Sequence, residues 1–171
     1  MKKILSILLF LLLIPIVLCM SQNYDNNLCS SNEKILISFQ IINSKKILSV
    51  CTSILEPGYI VYRFGTKENI ELKFPGDLEN SWNLFVYSYY FRGGRDENEG
   101  LDLNYLKFKT SKFEYQIYEE YTSQDNKKII GIKIKNINTK KEWDLKGDPL
   151  TLKGTLIDLR FNDKIIIKDI E

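Results

Sequence analysis

From Lys34 to Lys168 the chain is written in short runs of alternating apolar and polar residues, each closed by a few turn formers. Alternation of period two puts successive side chains on opposite faces of a strand, whereas a helix needs apolar residues three and four apart. The runs are Lys34–Ile42, Lys46–Ser53, Tyr59–Phe64, Ile70–Phe74, Asn83–Arg92, Leu101–Lys109, Phe113–Thr122, Ile129–Ile137, Lys141–Lys146, Leu150–Phe161 and Lys164–Lys168. Asn, Gly, Ser and Asp fill the gaps between them, as in Asn43-Ser44-Lys45 and Asn162-Asp163. About ten short strands with tight connections predict an all-β, single-domain antiparallel meander that closes as a β-barrel or a sandwich. Phe85, Tyr87, Tyr89 and Phe91 share one face of their strand, and Val86, Ser88 and Tyr90 the other. The apolar phase slips at Gly154 and between Tyr105 and Leu106, which predicts bulges and a strongly curved sheet. Pro75–Trp82 reads as a loop.

The N-terminus points to export. Lys2 and Lys3 precede an apolar run from Ile4 to Leu18, shorter than the roughly 20 residues of a spanning helix. Cys19 and Ser21 are small residues at the −3 and −1 positions of a cut after Ser21. Residues 1–21 are therefore read as a signal peptide and 22–171 as one β domain, placed in the periplasm or secreted. The alternatives are an uncleaved membrane anchor, or a lipid on Cys19, where Leu18 stands at a position that favours Gly, Ala or Ser.

Removing residues 1–21 takes away Lys2 and Lys3 and no carboxylate, so 24 basic residues become 22 and balance the 22 acidic ones. A neutral chain has no electrostatic case for nucleic acid or for an anionic membrane surface. Cys29 and Cys51 then remain as an even pair, for which a disulfide is the default in an oxidising compartment.

Histidine is absent. That removes Ser-His-Asp and Cys-His catalysis and histidine metal sites. Glycine-rich phosphate loops are absent too. No catalytic residue, cofactor or metal is assigned on these grounds. Carboxylate pairs are the chemistry left. Glu119 and Glu120 are adjacent on a strand and point to opposite faces. Asp96, Glu97, Glu99 and Asp102 lie around one connection, where Asp96, Asn98, Gly100 and Asp102 only partly follow a calcium loop, with Leu101 and Lys107 at the positions that want Gly and Glu.

That connection is the most unusual stretch: Tyr89-Tyr90-Phe91-Arg92-Gly93-Gly94-Arg95, then Asp96 to Gly100. Two glycines shape a hairpin loop, and Tyr and Arg are enriched in protein interfaces. Local ion pairs and turn geometry are the plainer reading of the same residues. The candidate binding set is Tyr89, Tyr90, Arg92, Gly93, Gly94, Arg95 and Glu99.

The strings Tyr62-Arg63-Phe64-Gly65-Thr66, Tyr89-Tyr90-Phe91-Arg92-Gly93-Gly94 and Asn98-Glu99-Gly100-Leu101-Asp102-Leu103-Asn104-Tyr105 resemble a family of small, exported, uncharacterised bacterial proteins, over roughly Tyr59 to Asp148. More distantly, the chain is similar at fold level to periplasmic C-type lysozyme inhibitors, disulfide-tied β-barrels that insert a loop into the lysozyme cleft. Tyr62-Arg63-Phe64 stands where those have Tyr-x-Cys, with Phe64 in place of the cysteine, and their Ser/Gly-rich inhibitory loop is missing.

The expectation is an exported, non-enzymatic envelope protein that binds another envelope or secreted protein, as an inhibitor or immunity protein. A barrel holding a small ligand or lipid and a carboxylate-dependent glycan-active enzyme are the alternatives. N-terminal sequencing of the exported protein is expected to begin at Gln22; a blocked or intact Met1 terminus would instead mark an uncleaved anchor.

Overall fold

The computed structural model describes residues 26–94 and 98–170. The predicted signal segment, 1–21, lies outside them. No helix of the described residues is long and apolar enough to cross a membrane. The strands are β1 (Glu33–Gln40), β2 (Ile47–Ser53), β3 (Ile60–Gly65), β4 (Ile70–Phe74), β5 (Phe85–Arg92), β6 (Leu101–Lys109), β7 (Phe113–Thr122), β8 (Lys127–Asn136), β9 (Glu142–Lys146), β10 (Lys153–Gly154) and β11 (Ile166–Lys168). They make a five-stranded sheet, β10-β1-β2-β3-β4, and a six-stranded sheet, β11-β5-β6-β7-β8-β9. The architecture is a sandwich, not the closed barrel also expected. Nor is it a pure antiparallel meander, because β11 returns to lie parallel to β5.

One side of the sandwich is stitched. Ile41, just past β1, bridges to Gly147, just past β9. Gly147 N–H donates to the Ile130 carbonyl on β8, and Asp148 N–H donates to Gln40 on β1. The chain thus steps from the long sheet to the short one at Gly147, where an added Cβ would stand 2.4 Å from the Phe39 ring. On the other side the sheets end in β4 and β11, which do not pair with each other.

The core follows from the alternation. Phe39, Leu48, Val50, Ile60 and Tyr62 of the short sheet pack on Phe85, Tyr87, Leu106, Phe108, Ile117 and Ile132 of the long one. Phe108 lies at the centre, with ring centroids 4.9 Å from Tyr62, 4.5 Å from Phe74, 5.4 Å from Phe85 and 4.6 Å from Tyr115. Offset and tilted contacts of this kind add to the area that each ring buries.

The outer face of the short sheet is also buried, and by polar residues. Ser38, Ser49 and Arg63 are cross-strand neighbours there. The chain from Asn26 to Glu33 lies over them. Leu28 N–H donates to Ser49 Oγ at 2.9 Å, and Arg63 donates to the Leu28 carbonyl at 3.2 Å. The Arg63 guanidinium also grips both Glu33 oxygens, at 2.6 and 2.8 Å. Burial pushes the Glu33 carboxyl up, but hydrogen bonds from Arg63, Ser30 and Tyr59 outweigh it and hold the group below its usual range. The disulfide between Cys29 and Cys51 fixes the same segment covalently to β2.

Three expectations need correction. Leu150–Phe161 is not a bulged strand. It is a 3-10 turn at Pro149–Thr151, the two residues of β10, and a 3-10 turn at Leu156–Phe161. Asp148 caps the first turn by accepting from Leu150 N–H at 3.0 Å, and the Thr155 hydroxyl caps the second by accepting from Ile157 N–H at 3.2 Å. Gly154 sits between them at φ +71°, and an added Cβ there would stand 2.2 Å from the Leu36 carbonyl. Leu156 and Leu159, three apart, share the buried side of the second turn. The slip at Tyr105–Leu106 is no bulge either, since β6 pairs without a break from Leu101 to Lys109. Irregular pairing occurs instead at Ile35/Ile37 and at Phe64/Gly65. Finally, Ser81–Leu84 forms a 3-10 turn that takes up the start of the expected strand Asn83–Arg92.

The disulfide closes a 22-residue separation and holds the covering segment in place. Replacing Cys29 and Cys51 by Ala is expected to cost about 3 kcal/mol. Denaturant unfolding checks this; reductant should move the unmutated protein to the same midpoint.

Candidate functional site

The strands of the short sheet have 8, 7, 6 and 5 residues from β1 to β4, while β5 to β8 have 8, 9, 10 and 10. The long sheet therefore runs past its partner at the end that carries Tyr89–Arg92, Leu101–Asn104 and Glu119–Thr122. Its inner face changes character there. Tyr87, Leu106, Ile117 and Ile132 form an apolar row across the strands, and the next row reads Tyr89, Asn104, Glu119 and Ile130.

The turn at Leu156–Phe161 covers this polar row. Glu119 is only 2% exposed. Its carboxylate accepts from Lys128 Nζ at 2.8 Å, from the Thr155 hydroxyl at 2.8 Å and from Leu156 N–H at 2.7 Å. Arg160 forms an ion pair with Asp102 and donates to Asn104 Oδ1 at 2.9 Å. Its guanidinium lies 4.8 Å from the Tyr89 ring centre and 5.7 Å from that of Phe91. The Tyr87 hydroxyl donates to Asn104 Oδ1 at 2.6 Å. Burial pushes this phenol up to about 12, against the opposing pull of Arg160.

Beyond Arg160 the strand β5 is bare. Tyr89 is 39%, Tyr90 43% and Phe91 62% exposed. Tyr89 and Phe91 emerge on the inner face above Arg160, and Tyr90 on the outer face. The hairpin that follows is closed by its own polar groups. Arg92 Nε donates to the Glu99 carbonyl at 3.0 Å. Gly100 N–H donates to Ser123 Oγ at 2.8 Å, and Ser123 N–H returns to the Gly100 carbonyl at 2.9 Å. Gly94 and Gly100 approach so closely that a Cβ on Gly100 would stand 2.9 Å from the Gly94 nitrogen. A hollow of about 350 Å³ is lined by Arg92, Gly93, Gly94 and Asn98.

The structure thus brings Tyr89, Tyr90, Arg92, Gly93, Gly94 and Glu99 to one end of the molecule. Glu99 contributes its backbone carbonyl, and Arg92 is partly engaged in closing the loop. Arg95, Asp96 and Glu97 lie outside the described residues. Sequence reading missed Arg160 and Asn104, and named Asp102 only as one carboxylate of the acidic connection. Their only sequence trace is the equal parity of Asp102 and Asn104 on one strand face; Arg160 comes from 58 positions away.

Two of the carboxylates weighed in the sequence are bound up in structure. Glu119 serves the Leu156–Phe161 turn and Asp102 serves Arg160, and Glu119 and Glu120 do point to opposite faces. Among the described residues the one group with metal-ligand spacing is Cys29, Glu33 and Cys51, whose sulfurs are joined in the disulfide. A hollow of about 440 Å³ lies on the outer face over β7, β8 and β9. Of its charged lining, Glu114 pairs with Lys109 at 3.3 Å, Lys135 with Glu142 at 2.7 Å and Asp144 with Lys146 at 2.7 Å, while the Lys133 ammonium lies 5.5 Å from the Tyr118 ring centre.

Comparison with protein-family models, with curated proteins and with solved structures finds no match for this chain.

Tyr87 and the outer-face Tyr118 are both held up to about 12 by burial. A phenol that ionises near 10 when unfolded but later when folded stabilises the fold fully below pH 10. Stability is therefore expected to be level up to about pH 10 and to fall between about 10 and 12. Tyr87→Phe should flatten that fall. Denaturant titrations across this range, with phenolate absorbance followed in parallel, check both.

Proposed function

We propose that the protein is an exported module that binds another protein through the projecting end of its six-stranded sheet. The observation that carries this reading is the run Tyr89-Tyr90-Phe91, exposed on both faces of a strand that outruns the sandwich, with Arg160 stacked beneath two of the rings. Large rigid aromatics beside arginine lose little conformational freedom on contact and dominate the energetics of protein interfaces. Arg160 is already held by Asp102 and Asn104, so the rings above it are pre-set.

The disulfide suits an oxidising compartment, which supports the periplasm or the exterior as its place of work. The inhibitor form of the reading has the connection after Arg92 entering a cleft of an envelope or secreted protein; the fold-level resemblance to C-type lysozyme inhibitors does not itself supply this, since their Ser/Gly-rich inhibitory loop is missing here. A ligand-holding barrel has less support, because the space between the sheets is filled by Tyr62, Phe85, Phe108 and Tyr115.

The test is affinity capture from envelope and secreted extracts, followed by titration of the captured protein. Tyr90→Ala with Phe91→Ala is expected to weaken binding by about thirtyfold or more, the size of a hot-spot loss of about 2 kcal/mol. Arg92→Ala with Arg95→Ala reports separately on the hairpin. Undiminished binding by both folded double variants would move the interface elsewhere on the molecule.

A further inference from the structure

On one side β5 pairs with β6 along its whole length, from Phe85 opposite Phe108 to Arg92 opposite Leu101. On the other side it pairs with β11 only from Val86 to Ser88. From Tyr89 onward that edge has no strand beside it among the described residues. Asp169 and Ile170 follow β11 outside any strand and make no backbone bond to β5.

The register decides which backbone groups stand free. Thr110 N–H donates to the Phe113 carbonyl at 2.8 Å, and Ser123 N–H to the Gly100 carbonyl at 2.9 Å. Bonded pairs in an antiparallel ladder recur at every second residue. The even-numbered residues of β6 therefore bond to β7, while Leu101, Leu103, Tyr105 and Lys107 bond to Arg92, Tyr90, Ser88 and Val86 of β5. Tyr87, Tyr89 and Phe91 turn their backbone groups the other way. β11 takes up those of Tyr87, with Ile167 opposite it. The Tyr89 carbonyl and the Phe91 N–H and carbonyl have no partner strand among the described residues. Sheet edges are commonly guarded by lysine, proline or a bulge. Tyr89-Tyr90-Phe91 carries none of these, and its pairing with β6 is unbroken. The edges at β4 and β9 are better guarded: β4 carries Glu71 and Lys73 and pairs irregularly beside Gly65, and β9 carries Glu142, Asp144 and Lys146.

We propose that the free edge of β5 takes a strand from the partner protein, an extended segment in which apolar and acidic residues alternate. The proposal rests on the projecting end being the interface and adds how the partner is read: main-chain bonds hold it and alternate side chains select it. β11 shows that this edge accepts a strand, and an incoming strand in line with it breaks no backbone bond among the described residues. Its inner-face side chains come beside the exposed rings of Tyr89 and Phe91, which favours apolar residues. Its outer-face side chain comes beside Tyr90. On that face Lys168, opposite Ser88, stands one step before Tyr90, and Arg92 stands one step beyond it. Neither cation forms an ion pair with a described residue; Arg92 donates Nε–H to the Glu99 carbonyl. Glu120, the carboxylate in the row of Tyr90, lies two strands away, opposite Leu103. A carboxylate beside Tyr90 meets both cations, and an ammonium there meets repulsion.

The experiment is amide hydrogen exchange and chemical-shift titration of the purified, disulfide-bonded protein with two capped hexapeptides, one alternating Val with Glu and the other Val with Lys. In the free protein the amides of Tyr90 and Arg92 are expected to be protected and that of Phe91 to exchange freely. The Val-Glu peptide is expected to shift the Tyr89–Arg92 amides and to slow exchange at Phe91; the Val-Lys peptide should bind about tenfold more weakly or worse. Phe91→phenyllactic acid exchanges the amide N–H for an ester oxygen and keeps the ring. It is expected to weaken binding of the Val-Glu peptide by about tenfold, the loss of one hydrogen bond. No binding of the Val-Glu peptide, equal binding of both peptides, or full binding by the folded ester variant would each overturn the proposal. So would protection of Phe91 that rises with protein concentration before any peptide is added, since a second copy would then hold the edge. The two readings fail separately. A partner protein lost from Tyr90→Ala with Phe91→Ala but kept in full by the ester variant leaves the interface in place and removes the added strand.

Discussion

A sandwich can bury only as much of its longer sheet as the shorter one covers. Here β6, β7 and β8 outrun the strands opposite them, and the uncovered inner face has to be closed by other means. The chain closes it with a turn, Leu156–Phe161, whose two leucines finish the core and whose flanking polar groups tie down the rest. Glu119 is the hinge of that arrangement. A carboxylate out of water is costly unless its oxygens are satisfied. Three donors from Lys128, Thr155 and Leu156 do so, and two of them belong to the covering turn. The same requirement places Arg160 against Asp102 and so beneath Tyr89 and Phe91. The candidate interface is a by-product of covering the overrun.

The two faces of the short sheet show a second way of meeting that need. Its inner face is ordinary apolar packing, while its outer face buries Ser38, Ser49 and Arg63 under an extended segment rather than a helix or a third sheet. An extended cover brings its own backbone polar groups, so the surface beneath it has to offer hydroxyls and a guanidinium in return. Ser49 and Arg63 supply these to Leu28, and Glu33 neutralises Arg63.

Much of this was legible in the sequence where side-chain period alone decides. β2, β4, β6 and β7 start and end close to the alternating runs, and the even pair of cysteines is a disulfide. Legibility failed where a second layer changes the meaning of the pattern. Leu101, Leu103 and Tyr105 followed by Leu106 and Phe108 read as a slip of phase, yet both faces of β6 carry apolar side chains along an unbroken pairing. Ile157, Leu159 and Phe161 alternate like a strand, but Asp148 and Thr155 cap turns on either side of Gly154, and caps outrank a short alternation. In the candidate site, the exposed aromatics were readable as neighbours in one string. The cation beneath them was not, since Arg160 reaches Tyr89 only after the chain has crossed the whole long sheet.

The connection between β5 and β6 is clasped where the two strands end. Arg92 and Glu99 shut the stem from one side, and the paired bonds of Gly100 and Ser123 lash it to the neighbouring β7–β8 connection. The clasps are built from backbone groups of Glu99, Gly100 and Ser123 with the Arg92 and Ser123 side chains, so the ends of β5 and β6 are held together where their pairing stops, and the aromatic platform is seated before any partner arrives.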